Sequence, residues 1–187
     1  ILQEIAVDTA VLSGQVHTNQ AYEATLRELK ARQIEVIRAR AGRSFRLGPE
    51  VRVDILWPAE PLLEGEDGVN ENSVVLLVSH GEFNLLLAGD IEEEAQATLL
   101  LMTEDLRSQV LKAPHHGARS SLQAEWLDAV APEAAIISVG ADNPYGHPDA
   151  EMLAALQSRG ASVYRTDLRG AITVTSDGHG YGISSQR

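Results

Sequence analysis

Leu85–Leu86–Leu87–Ala88–Gly89–Asp90 and Val110–Leu111–Lys112–Ala113–Pro114–His115–His116–Gly117 are two apolar runs, each leading to a side chain that ligates metals. A strand this apolar is covered on both faces, and the residue after its last apolar position emerges at the rim of the sheet. Asp90 is set at that rim by a Gly-Asp turn, with two carboxylate oxygens able to bridge two cations. The paired histidines bring imidazole nitrogen, a ligand that zinc and manganese sites share, to the same place. Both runs belong to a longer alternation. After Asp90 the pattern predicts helices over 91–102, 122–130 and 150–159, with strands at 109–112, 134–139 and 162–166. A turn at 167–170 leads to a last strand at 171–175. The alternation describes an α/β fold whose parallel strands raise their ends on one side, so Asp90, His115, His116 and His147 are expected at one rim. A purely structural alternative makes Asp90 the N-cap of helix 91–102. Glu92, Glu93 and Glu94 then sit in that helix's first turn, where carboxylates complement the dipole.

Upstream, Thr18–Asn19 cap an amphipathic helix from Gln20 to Arg32, with Tyr22, Leu26 and Leu29 on one face. Strands are predicted at 7–12, 34–39, 45–47 and 51–57. Pro58 and Pro61 end the last of these before a surface loop at 64–68. Residues 73–79 and 83–88 form a hairpin across His80–Gly81–Glu82, which makes His80 a solvated turn residue. His147 lies in the turn Asn143–Pro144–Tyr145–Gly146–His147–Pro148 before a helix, where proline suits the first helical position. His17, and His179 in a glycine-rich tail, are expected to be exposed.

The chain has 187 residues, 44% of them hydrophobic, which suffices for one domain with a real core. No apolar run approaches the roughly 18–20 residues that span a bilayer, and residues 1–12 lack the pattern of a signal peptide. Ile1, which is not an initiator methionine and opens in mid-pattern, reads as an internal point of a longer protein. Without cysteine there are no thiolate metal sites and no disulfides. A net charge of −12 argues against indiscriminate nucleic-acid binding. One region is nonetheless locally basic: Arg27, Lys30, Arg32, Arg38, Arg40, Arg43, Arg46 and Arg52 face only Glu28, Glu35 and Glu50 over the same stretch. They form either a solvated surface or a phosphate track. With aromatics at 4%, no stacking platform for single-stranded bases is evident.

Several motifs occur in a telling order: Asn70–Glu71–Asn72–Ser73–Val74–Val75–Leu76, Leu86–Leu87–Ala88–Gly89–Asp90, Leu111–Lys112–Ala113–Pro114–His115–His116–Gly117, Tyr145–Gly146–His147–Pro148 and Val163–Tyr164–Arg165–Thr166–Asp167 with Gly170–Ala171. Together with Ser13–Gly14–Gln15 and His17–Thr18–Asn19 they resemble the C-terminal domain of the ComEC family of DNA-internalisation competence proteins. That domain belongs to the metallo-β-lactamase superfamily. Each motif is weak alone, but five in register are specific. The resemblance implies an αββα sandwich of two mixed sheets with metals at the rim between them. The superfamily's early His/Asp-rich metal loop is missing, so residues 1–187 are expected to be the later two-thirds of a domain. Ala118 also stands where relatives continue Gly-Ser, leaving Ser120 and Ser121 as the nearest hydroxyls.

By this resemblance Asp90 matches the bridging aspartate. His115 and His116 match the late ligand position, one ligating and the other touching substrate, with the spacing favouring His116 as ligand. His115 and His147 are the candidate catalytic residues, His147 for phosphate binding or proton donation to the leaving oxygen. Ser120, Ser121 and Asn72 are candidates for substrate binding, and Asn72 stands where many superfamily members carry another histidine. The implied cofactor is a pair of divalent cations, zinc or manganese, in the complete domain, with an incomplete site in this chain. The implied function is metal-dependent phosphodiester hydrolysis by the nuclease domain of a membrane DNA-uptake protein used in natural transformation. Its substrate is single-stranded DNA, and its partner is the membrane channel portion of the same parent, with the domain on the extracytoplasmic side. The alternatives are a hydrolase of small phosphoesters or lactones, and a catalytically silent binding module. The isolated chain is expected to be inactive, poorly metallated and prone to self-association through an exposed edge or apolar face.

Overall fold

The computed structural model describes residues 1–187 except 1, 3, 66, 67 and 104. Strand β1 (Thr9–Leu12) precedes helix α1 (Gln20–Ala31), whose Asn19 cap accepts the Tyr22 N–H at 2.7 Å. Strand β2 (Glu35–Arg38) pairs with β1 in parallel. Strands β3 (Ser44–Leu47) and β4 (Val51–Trp57) follow, then the single turn α2 (Gly68–Glu71) and the hairpin β5 (Val75–His80) and β6 (Phe83–Leu87). Next come α3 (Glu93–Met102), β7 (Val110–Lys112), α4 (Ala124–Val130), β8 (Ala134–Ile137), α5 (Ala150–Ser158) and β9 (Ser162–Arg165). The turn α6 (Thr166–Arg169) leads to a closing hairpin, β10 (Ile172–Ser176) and β11 (Tyr181–Ser185).

Seven strands make one sheet in the order β3-β4-β5-β6-β7-β8-β9. Its first half is an antiparallel meander, and from β6 to β9 every pairing is parallel. The change follows from the connections: a two-residue turn reverses direction at Gly81–Glu82, whereas the helices α3, α4 and α5 carry the chain back to start each later strand on the same side. These helices bury Ala95, Leu99, Trp126, Leu127, Val130, Met152 and Leu156 against Trp57, Val75, Leu86, Leu111, Ala135 and Ile137. Each such aliphatic side chain contributes about 1.5–3 kcal/mol on burial. On the opposite face Phe83, Val110 and Ala134 meet Val174, Tyr181 and Ile183 of the β10–β11 hairpin.

The α/β architecture with one large mixed sheet is the one the motifs imply; β10–β11 packs on the face opposite the helices, and β1–β2 forms a separate two-stranded sheet. Several local expectations need correction. Asp90 does not cap α3, which starts at Glu93 with Glu92 in the cap position. Residues 167–170 do not turn the last hairpin: 166–169 are helical, and the hairpin turns at Asp177–Gly180. His179 therefore lies in a β-turn rather than a tail, and the unforeseen β11 follows it. Of the loop 64–68, Glu66 and Asp67 lie outside the described residues, and Gly68 opens α2. His80 is the last residue of β5, not a solvated turn residue: it pairs with Phe83, and its ring packs against Gly178 with Nε2 3.7 Å from Glu50.

Candidate metal centre at the carboxyl ends of the parallel strands

Each of β6, β7 and β8 delivers one piece of the rim. After β6 the chain turns through Gly89, whose positive φ of 59° and contact with Ser73 leave no room for a side chain. Asp90 follows it. After β7, His115 and His116 both adopt the left-handed conformation, with φ of 42° and 55°, and Gly117 continues at 80°. Two such residues in succession without glycine store about 1–3 kcal/mol each, strain that persists only when the surroundings hold it. The surroundings are visible. The His115 N–H donates to the Gly89 carbonyl at 3.1 Å, and the Asp149 N–H donates to the Gly117 carbonyl at 2.9 Å. The His116 ring nitrogen Nδ1 lies 2.6 Å from the Ser138 carbonyl beyond β8. One backbone turn is thus tied to the loops after both neighbouring strands. A methyl group at Gly117 would collide with Pro148, so the histidine turn also packs on the His147 loop.

These ties bring the four predicted residues together. His116 Nε2 lies 3.7 Å from Asp90 Oδ1. Ring centroids of His115 and His116 are 6.2 Å apart, and those of His115 and His147 are 5.6 Å apart. Because Nδ1 of His116 faces a carbonyl, it donates its proton there, and Nε2 is the nitrogen turned toward Asp90. A carbonyl behind an imidazole is how metal-binding histidines are commonly oriented. His115 is held differently. Its Nδ1 lies 2.6 Å from Glu92 Oε1, a charge contact without the alignment of a hydrogen bond. His147 is anchored through its backbone, its N–H donating to Asn143 Oδ1 at 3.0 Å. Burial, with the charges of His115 and His116, pushes the His147 pKa below the ordinary histidine value.

Lys112, which the motif contains without an assigned role, joins the group. Its ammonium donates to the Gly89 carbonyl at 2.8 Å and lies 3.5 Å from Asp90 Oδ1. Desolvation lowers its pKa against the opposing pull of Asp90. Glu71 is the other residue that sequence reasoning missed. It is 5% exposed, and its carboxylate accepts the N–H groups of Glu92, Glu94 and Ala95, each at 3.0 Å. It supplies from α2 the cap that α3 lacks locally. By fixing the Glu92 backbone it also fixes the segment that carries Asp90. The ordinary capping signal is read three residues along the chain; this one spans more than twenty positions.

The remaining candidates lie elsewhere. Asn72 is fully buried, its amide donating to the carbonyls of Leu63 and Gly68 and to Gln15, its oxygen accepting the Leu63 N–H. It ties Leu63 to Gly68 and is out of a substrate's reach. Ser121 is likewise buried, bonded to the Pro114 and Ala118 carbonyls. Ser120 is exposed beside the acidic groove of Glu71, Glu92, Glu93 and Glu94, not among the histidines. His17 receives the Asn19 N–H on its ring and serves only its own loop.

Asp90 and His116 fit two donors of a divalent-cation site, one of them pre-oriented. Among the described residues, no three His, Asp or Glu side chains are arranged to hold a metal ion without rearrangement. No helix among them is long and apolar enough to cross a membrane.

No family model matches the chain. It is 36% identical over 103 residues to ComE operon protein 3 of Bacillus subtilis (strain 168), which covers 55% of the chain and 13% of that protein. It is 38% identical over 104 residues to competence protein ComA of Neisseria gonorrhoeae, 55% of the chain and 15% of that protein. Among solved structures, a CmlA beta-hydroxylase E377D mutant aligns over 76% of the chain and 34% of its own length at 14% identity, with a TM-score of 0.47, too slight a likeness to carry an argument. The matched segment is a small part of each curated relative, and over that segment the chain is a homologue of the ComEC-type bacterial competence proteins.

Proposed function

We propose that this chain is the metal-dependent phosphodiester hydrolase portion of a membrane DNA-uptake protein, acting on single-stranded DNA during natural transformation. The observation that carries the reading is the meeting of Asp90, His115, His116 and His147 at the carboxyl ends of parallel strands, the rim at which open α/β sheets bind ligands. The homology to competence proteins supplies the setting. Two divalent cations, when bound, would supply positive charge to the phosphate and acidify a water. Asp90 and His116 would hold them, together with donors beyond those described.

The chain's own residues do the rest. Lys112 balances the Asp90 carboxylate and keeps it directed along the rim. His147, neutral beside two other imidazoles, becomes a proton donor when the phosphodiester monoanion arrives, because an adjacent negative charge raises the imidazole pKa. It then protonates the leaving oxygen as the phosphorus–oxygen bond breaks. Glu92 holds the His115 ring across from it.

The test is hydrolysis of a labelled single-stranded oligonucleotide in manganese or zinc by a protein that joins this chain to the remaining metal donors, run beside a nitrophenyl phosphoester and a lactone. Metal-dependent cleavage of the oligonucleotide is the expected result. Cleavage of the small esters alone transfers the site to the small-molecule hydrolases.

A further inference from the structure

Tyr145 projects from the rim with 79% of its surface exposed, in a chain with few aromatic residues. Its ring lies parallel to that of His147, with an interplanar angle of 14° and centroids 5.9 Å apart. The loop that presents it is clamped: Asn143 donates its amide to the carbonyls of Gly140 at 3.1 Å and His147 at 2.9 Å, and accepts the His147 N–H. Tyr145 is therefore an exposed aromatic on a fixed support. Packing does not account for it. Beside it runs a groove of about 430 Å³ whose walls include Val139, Gly140, Thr166 and the rings of His116 and His147. Its lining thus joins the phosphate-handling imidazoles to an open aromatic face.

We propose that Tyr145 is a stacking platform for a base of single-stranded DNA, holding the nucleotide next to the phosphate at the Asp90–His116 rim. This rests on the nuclease reading and deepens it by naming how the strand is gripped. Tyr145, His147 and His116 line one groove, so a strand held at the rim passes the platform. Every base has a π-face, so the grip is tolerant of sequence and demands only that the base be unpaired. A duplex, whose bases are already stacked, does not offer that face.

The test is direct binding, measured by fluorescence anisotropy at low salt with two labelled probes: a thymidine oligonucleotide and a strand of equal length made of abasic sugar-phosphate. The 187-residue chain is compared with Tyr145→Ala and Tyr145→Phe. Wild type should bind the thymidine strand about tenfold more tightly than the abasic strand, the magnitude of one base–aromatic stack. Tyr145→Ala should lose that preference while keeping its affinity for the abasic strand, and Tyr145→Phe should retain the preference. Unchanged thymidine binding by Tyr145→Ala, equal losses on both strands, or no binding by wild type overturns the proposal. A stacking preference in the chain, with no strand cut by a protein that joins it to the remaining metal donors, sinks the nuclease reading and leaves the platform standing. Normal cutting with a preference indifferent to Tyr145 does the reverse.

Discussion

Residues 27–52 and residues 90–147 both concentrate side chains suited to phosphate, and they use them in opposite ways. In the first region six of the eight cations are answered by nearby acceptors. Arg27 pairs with Glu23, Arg32 with Glu28, Arg40 with Glu60 and Arg52 with Asp54, while Arg43 and Arg46 donate to backbone carbonyls. In the second region Lys and Arg are fewer, three against eight, but strand ends and strained turns gather Asp90, Lys112 and the histidines at one rim, with His116 Nε2 3.7 Å from Asp90 Oδ1. A count of charged residues therefore says little about a site. Convergence from separate strands says much more.

The sharpest way to break this contrast is at Asp90. In a protein that hydrolyses DNA, Asp90→Ala should reduce the rate to background, since the carboxylate would hold the cations that position and acidify the water. His80→Ala, at the far end of β5, removes a packing contact with Gly178 and the approach to Glu50, and should leave hydrolysis near normal. Equal activities of the two variants in a manganese- or zinc-supplemented assay would show that the rim is not the reaction centre.

A second test separates His147 from its neighbours. His147→Asn should lower kcat about a hundredfold, the low end of general acid catalysis. The pH profile carries the finer information. His147 in the free protein has its pKa pushed below the ordinary value of 6.5, so the alkaline limb of kcat/KM should fall below pH 6.5. With phosphate bound the proton is held more firmly, and the limb in kcat should move to higher pH. A profile that keeps the same alkaline limb in His147→Asn assigns the proton to another group.

Much of the rim was legible from the sequence because its logic is periodic: apolar runs of strand length, helices between them, and ligand-type residues just past each run. The helix and strand positions around Asp90, His115 and His116 needed only that pattern. What escaped it is contact between distant segments. Glu71 looked like one polar residue in a motif, yet it caps α3 through three backbone N–H groups. Tyr145 was one aromatic among few, and only the clamped turn showed its face to be free. The hairpin β10–β11 was hidden by glycines at 178, 180 and 182, which read as a tail until Val174, Tyr181 and Ile183 are seen packed against the sheet.

Glu71 offers a test of that long-range logic with a smaller effect. Glu71→Ala leaves three N–H groups at the start of α3 without their carboxylate, so stability should fall by about 3 kcal/mol in urea unfolding. Glu71→Gln, which keeps one acceptor oxygen, should recover part of it. If Glu71→Ala costs no more than an exposed glutamate, α3 has another cap and Asp90 is positioned by β6 alone.

The smallest effect is expected where the basic residues are densest. Arg27, Arg32 and Arg52 each face a carboxylate on the surface, and such pairs contribute about 0–1 kcal/mol. The triple variant Arg27→Gln, Arg32→Gln, Arg52→Gln should keep oligonucleotide affinity within about twofold of wild type. Salt dependence makes the test stringent, because each phosphate neutralised on a single strand adds about 0.7 to the slope of log K against log salt. Three direct phosphate contacts would therefore take about 2 from that slope when removed. An unchanged slope assigns the arginines to their own carboxylates and leaves the strand to the rim; a slope lower by about 2 makes residues 27–52 a track that feeds it.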